Sequence, residues 1–172
     1  MTTKRLIYLS LLVAQAVILN LIERALPAPI PAFPVVKLGL TNLITLVAFY
    51  TTTYRQTLLV ITARLLLVTL LGGTVSLLLY SSAGAYLSFL GLVGAQRFGR
   101  GKFSLLGASM FAAWLHLAGQ LTVVCLITGT TTILYSAPLF TGLGLASGLI
   151  IGLLTNGFLT KLHVLPKFEK HD

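Results

Sequence analysis

Arg64 stands out among the charged residues because it lies inside a long apolar segment, eight residues after Gln56. A helix rises about 1.5 Å per residue, so the Arg64 Cα would lie roughly 12 Å inside a hydrocarbon core about 30 Å thick. A guanidinium at that depth needs an anionic or carbonyl-bearing partner, unless its side chain reaches the interface. The sequence therefore makes Arg64 the first candidate for binding a ligand.

A second candidate is the pair His116 and Gln120, which follows Ala108 and Ala112 at four-residue spacing. This spacing places all of them on one face of a helix. Polar groups inside a membrane need hydrogen-bond partners, and either neighbouring helices or a substrate can provide them. Both interpretations stay open. No Cys, Asp or second His lies at ligand spacing from His116, so we predict no metal site.

Three further polar residues complete the predicted substrate site. Lys37 and Asn42 flank Gly39 at the start of the second apolar segment, and Glu23 precedes Arg24 at the end of the first. The alternatives are an ordinary helix start with an interfacial lysine and an exposed ion pair of little energetic weight. We assign Glu23, Lys37 and Asn42 to a binding mouth.

The composition requires a membrane environment for the elements that carry these residues. Hydrophobic residues make up 56% of the 172 positions and charged residues 9%, against roughly 25% charged in ordinary soluble domains. Residues 103–160 contain no Asp, Glu, Lys or Arg. This stretch exceeds the roughly 20 apolar residues of one crossing, so it must hold two. A soluble fold is excluded, and the lipid bilayer is the first expected partner.

Apolar segments separated by breaks predict an all-α, polytopic membrane protein. We expect about six transmembrane helices in one bundle, which forms a single domain over residues 1–172. The predicted spans are residues 5–25, 38–54, 56–79, 83–98, 103–128 and 139–162. A proline-rich loop over residues 27–34 separates the first two, and Gly72 and Gly73 weaken the third.

The basic residues predict the orientation, because cytoplasmic loops are enriched in Lys and Arg. With a cytoplasmic N-terminus, the outer side holds only Arg24 and Lys37. The inner side then holds nine basic residues: Lys4, Arg5, Arg55, Arg97, Arg100, Lys102, Lys161, Lys167 and Lys170. Both termini are therefore expected in the cytoplasm, with the protein in the cytoplasmic membrane of a bacterium. The net charge of +9 is explained by these basic residues, which orient the helices in the membrane. We therefore predict no nucleic-acid partner.

Small residues predict where helices approach closely. Gly144, Gly148 and Gly152 recur at four-residue spacing in the last apolar segment, and Ser10 with Ala14 forms a weaker version near the N-terminus. Such faces allow close contact between helix backbones. They serve either packing within the bundle or docking to another subunit.

The absence of nucleotide-binding and diphosphate-binding motifs argues against two classes of enzyme. The sequence contains no Walker phosphate loop, and no aspartate precedes Asp172. Sites that hold magnesium diphosphate use clustered carboxylates, so we predict that this chain alone is not an enzyme. We also predict no bound cofactor.

The order and spacing of these motifs resemble one membrane family. Four motifs carry the resemblance, which spans nearly the whole chain: Glu23-Arg24 with the proline-rich loop, the segment from Lys37 to Asn42, the stretch from Arg64 to Gly72-Gly73, and His116 with Gln120. The family is known as heptaprenyl diphosphate synthase component I, and also as the Gx transporter family.

The resemblance implies two different roles. One is that of a substrate-binding S component of an energy-coupling factor transporter, a small six-helix membrane subunit that works with a separate ATPase and transmembrane module. The other is that of a non-catalytic membrane component of heptaprenyl diphosphate and quinone synthesis, working with a soluble prenyl synthase subunit. S components present an alanine-xxx-alanine face on helix 1, where this chain has Ser10 and Ala14. We favour the transport role, for a small solute that is anionic or related to quinones.

Overall fold

The computed structural model describes residues 3–25, 39–98 and 104–161. All regular structure within these ranges is helical, which confirms the predicted all-α class. The elements are α1 (Thr3–Ala25), α2 (Leu40–Thr51), α3 (Tyr54–Leu70), α4 (Val75–Phe98), α5 (Leu105–Thr128), a short 3-10 helix (Thr132–Ser136) and α6 (Ala137–Lys161). The predicted proline-rich loop and Lys37 lie outside the described residues.

Within the described residues, four helical segments are long and apolar enough to cross a membrane: α1, α4, α5, and α6 together with the 3-10 helix. They fit an integral membrane protein. The remaining helices are shorter, with 12 residues in α2 and 17 in α3. At 1.5 Å per residue these helices are only about 18 and 26 Å long, less than the thickness of the hydrocarbon core. The count of six spans therefore stays a prediction.

The boundary between the third and fourth helices differs from the prediction. The expected span over residues 56–79 ends at Leu70, and α4 already begins at Val75 rather than at residue 83. Gly72 explains the break, because its φ of 96° is left-handed and interrupts the helix. Arg24 of α1 holds this end of α3 by donating to the Val68 and Gly72 carbonyls at 3.5 and 3.3 Å.

Successive helices run antiparallel to one another. The Tyr8 hydroxyl at the start of α1 donates to Thr51 at the end of α2, at 2.9 Å. The Tyr54 hydroxyl at the start of α3 donates to Gln96 near the end of α4, also at 2.9 Å. Helix α2 lies in the interior, in contact with α1, α3 and α6, and the most extensive interface joins α4 to α5.

The glycine face of α6 lies against α5. Gly144, Gly148 and Gly152 are all buried. A Cβ atom at Gly148 would lie 2.7 Å from the Met110 Cα, which is closer than real Cβ contacts. By contrast, Ser10 and Ala14 are exposed on α1. The glycines therefore pack closely against α5, and a docking role for Ser10 and Ala14 stays a proposal.

Candidate functional site

A cavity of about 50 Å³, with both polar and apolar side chains in its wall, lies where α1, α2, α3, α4 and α5 meet. The structure brings five of the six predicted substrate-binding residues to its wall: Glu23, Asn42, Arg64, His116 and Gln120. The sixth, Lys37, lies outside the described residues. These five residues come from four helices that are far apart in sequence, so the shared cavity is a product of the fold.

The cavity wall also contains residues that sequence reasoning missed. Asn20, Thr41 and Ser81 are polar, and Leu77 and Leu78 add an apolar side from the first turns of α4. Asn20 lies one helical turn before Glu23, so the i, i+3 spacing on α1 could have identified it. Thr41 and Ser81 carry no comparable signal, because isolated hydroxyl residues are common in membrane helices.

The start of α2 forms one side of the cavity. Gly39 precedes the helix with a left-handed φ of 75°, and no side chain within α2 caps the helix. The Gly39 N–H donates instead to a carboxylate oxygen of Glu23 on α1. A carboxylate is favourable here because the N-terminus of a helix carries a partial positive charge. Glu23 thus accepts from the N-cap N–H, as the Glu or Gln of a capping box does, and ties α1 to α2.

Arg64 projects into the same cavity from the middle of α3. Its side chain is only 5% exposed, and its charge is attracted to the Glu23 carboxylate. The structure brings both to one cavity because α1 and α3 run side by side. The Arg64 Nε nevertheless has no hydrogen-bond partner in the described part of the chain.

His116 and Gln120 line the α5 side of the cavity. The Gln120 Nε2 lies 3.2 Å from the His116 Nε2, within hydrogen-bond distance. Gly84 of α4 makes room for this pair, since a Cβ atom there would lie 2.8 Å from the His116 carbonyl oxygen and 3.0 Å from its Nε2. The two side chains therefore satisfy each other in part within α5, and the choice between partners on neighbouring helices and a substrate stays open.

Unpaired polar atoms concentrate at this cavity. Four buried side-chain polar atoms lack a hydrogen-bond partner within the described ranges, and three belong to its wall: Asn20 Oδ1, Arg64 Nε and His116 Nδ1. An unsatisfied buried polar group costs about 1–3 kcal/mol, and most native proteins have few of them. Their concentration here indicates a site whose polar groups take their partners from bound water or a ligand.

The size of the cavity limits what fits. One water molecule needs roughly 10–15 Å³ of cavity volume. A cavity of about 50 Å³ therefore holds a few waters or one small polar group. Within the described residues, no three His, Cys, Asp or Glu side chains come together as metal ligands. The polar groups of the wall can donate and accept hydrogen bonds and can balance one charge.

Comparison with known proteins identifies the family. The model of the family heptaprenyl diphosphate synthase component I matches residues 12–158. The chain belongs to this family. The matched range of this component I protein includes every cavity residue named above, from Asn20 to Gln120. The match also confirms the family that the sequence motifs predicted. No curated protein and no solved structure matches the chain.

Proposed function

We propose that this component I family member is a membrane subunit that binds a small polar solute for transport, in the manner of an S component of an energy-coupling factor transporter. The observation that carries the proposal is the clustering of unpaired buried polar atoms around one cavity between membrane helices. Polar and ionisable groups within a membrane are unfavourable, so they mark functional sites by default. A purely structural role would be better served by apolar packing.

The solute would enter from the outer side. Glu23 and the start of α2 line the cavity near the end of α1, opposite the end that carries Lys4 and Arg5. The distribution of basic residues supports a cytoplasmic position for that N-terminal end. Energy would come from a separate ATPase and transmembrane module, and without such a partner the protein would act as a facilitator.

Replacing Gln120 by leucine should reduce solute uptake about tenfold, because it removes hydrogen bonds worth about 1–1.5 kcal/mol at a cavity wall. The side chain of Gln120 is only 7% exposed, and leucine has a similar size. The measurement is uptake of a panel of labelled vitamin precursors, quinone precursors and small organic anions. Cells would express the chain alone or with candidate ATPase modules.

Gln15→Leu is the matched control, because Gln15 is exposed on α1 and does not line the cavity. Uptake by Gln15→Leu should equal that of the unmodified chain. No uptake of any solute class, with or without partners, would contradict the proposal. Equal uptake by both variants would contradict the assignment of the site.

A second function is favoured by the family description itself. Here the chain would be a non-catalytic membrane component of heptaprenyl diphosphate synthesis that positions a lipid substrate for a soluble synthase subunit. Co-purification with a prenyl synthase, together with loss of long-chain quinone after deletion of this chain, would favour this function over transport. Unchanged quinone content in the deletion strain would argue against it.

A further inference from the structure

We infer that the cavity takes a small monocarboxylate, or the carboxylate end of a larger molecule, and that Glu23 occupies the position of this group at the start of α2 until the ligand arrives. The inference rests on the proposed function, since it names the class of solute for the same cavity. Two independent features of the described residues support it: the start of α2 and the side chain of Arg64.

The first feature is a helix N-terminus that already holds a carboxylate. The Gly39 N–H donates to the side chain of Glu23, which comes from another helix. Helix N-termini bind anions through their free N–H groups and their partial positive charge. The contacting oxygen of Glu23 thus has the chemistry that a ligand carboxylate would have at the same place.

The second feature is Arg64, which lines the same cavity and has only 5% of its surface exposed. Its Nε has no hydrogen-bond partner among the described residues. A guanidinium binds a carboxylate through two parallel hydrogen bonds, and Nε can be one of the two donors. Arg64 and the start of α2 therefore offer complementary donors to one carboxylate.

Charge and volume restrict the ligand further. Among the described lining residues, Arg64 supplies one full positive charge and Glu23 one negative charge, while a helix N-terminus adds about half a positive charge. When Glu23 leaves the α2 N-terminus, the positive charge of Arg64 and of the helix can therefore stabilise one additional negative charge in the cavity. A multiply charged group such as a diphosphate would exceed this positive charge and is disfavoured. A space of about 50 Å³ accepts a carboxylate with a short substituent.

The test uses isothermal titration of the purified full chain in lipid nanodiscs. Acetate and pyruvate are the carboxylate probes, and inorganic phosphate is the anion of higher charge. Acetamide is the neutral probe with the shape of acetate, and ethylammonium is the cationic probe. We expect binding of acetate or pyruvate, and at least about tenfold weaker binding of acetamide, because the neutral amide lacks the charge that Arg64 recognises.

Two charge-removing substitutions should act in opposite directions. Glu23→Gln should strengthen carboxylate binding about threefold or more, because it removes the competing negative charge, and Arg64→Met should weaken it about tenfold or more. Arg55→Met is the control, since Arg55 is exposed in the first turn of the same helix, and it should leave binding unchanged. If Arg64→Met fails to fold, the double variant Glu23→Gln/Arg64→Met replaces it, and it too should lose acetate binding.

Several results would overturn the inference. These are weaker acetate binding by Glu23→Gln, acetamide binding equal to that of acetate, ethylammonium binding that is lost in Glu23→Gln, or tighter binding of inorganic phosphate than of either carboxylate. Absence of carboxylate binding would also overturn it. Uptake of another solute that still depends on Gln120 would leave the proposed function standing, whereas absence of all uptake would remove both.

Discussion

Replacing Gly148 by valine is expected to lower the thermal unfolding midpoint of the purified protein by about 10 °C, corresponding to about 3 kcal/mol in a chain of this size. A Cβ atom at this position would lie 2.7 Å from the Met110 Cα, 2.9 Å from the Ala113 Cβ and 3.0 Å from the Ser109 carbonyl oxygen. Two of these atoms are backbone, so they cannot move away by a change of rotamer. The substitution must instead separate α5 from α6.

The same separation should break the hydrogen bond from the Ser109 hydroxyl to the Gly148 carbonyl, which measures 2.7 Å. Gly142→Val is the matched control on the same helix, because a Cβ atom at Gly142 meets nothing within 4 Å. Its unfolding midpoint should stay within about 2 °C of the unmodified protein, since surface substitutions usually change stability by less than 0.5 kcal/mol. Equal midpoints for the two variants would contradict close packing at Gly148.

Removing both buried charges at once, in the double variant Glu23→Gln/Arg64→Met, is expected to preserve the fold and abolish function. Glu23 and Arg64 are 7% and 5% exposed, so each loses hydration on folding. Replacing a buried ion pair by neutral groups of similar volume is often neutral or stabilising, by about 1–4 kcal/mol. The unfolding midpoint should therefore stay or rise, while uptake or binding of the solute falls to background.

The single variant Arg64→Met should behave differently. It leaves the buried Glu23 carboxylate without the positive charge in the same cavity, and removing one of two buried opposite charges costs up to about 3–5 kcal/mol. Its midpoint should lie well below that of the double variant, in the same lipid and at the same pH. A double variant that unfolds as readily as the single one, or that retains full uptake, would show that these charges serve the fold rather than the ligand.

Most of the helices were predictable because the length of an apolar run in the sequence indicates a membrane helix. The apolar runs that form α1, α5 and α6 agree with the structure to within a few residues. The boundary between α3 and α4 was not predictable in the same way, because the apolar pattern continues across it and only the left-handed Gly72 ends the helix. A glycine inside an apolar run signals a weakness, but its φ depends on tertiary contacts such as the cap from Arg24.

The candidate site was predictable where intramembrane polarity is rare. Arg64, His116 and Gln120 are conspicuous inside apolar segments, and the structure brings all three to one cavity. The role of Glu23 at the start of α2 was hidden, because the contact joins residues of two helices and depends on where α2 begins. Asn20, Thr41 and Ser81 are individually ordinary, so only the fold reveals that they share a wall.

A cysteine at Ser81 tests most directly whether solutes reach this cavity. Ser81 lines the cavity, whereas the neighbouring Ser82 does not and bonds to the Leu79 carbonyl at 3.0 Å. In a Cys125→Ser background, a small membrane-impermeant thiol reagent would be added from the outer side. We expect Ser81→Cys to be modified and to be protected by the solute that the protein takes up, while any modification of Ser82→Cys is unaffected by the solute. Equal modification at both positions, with no protection at either, would show that solutes do not bind in this cavity.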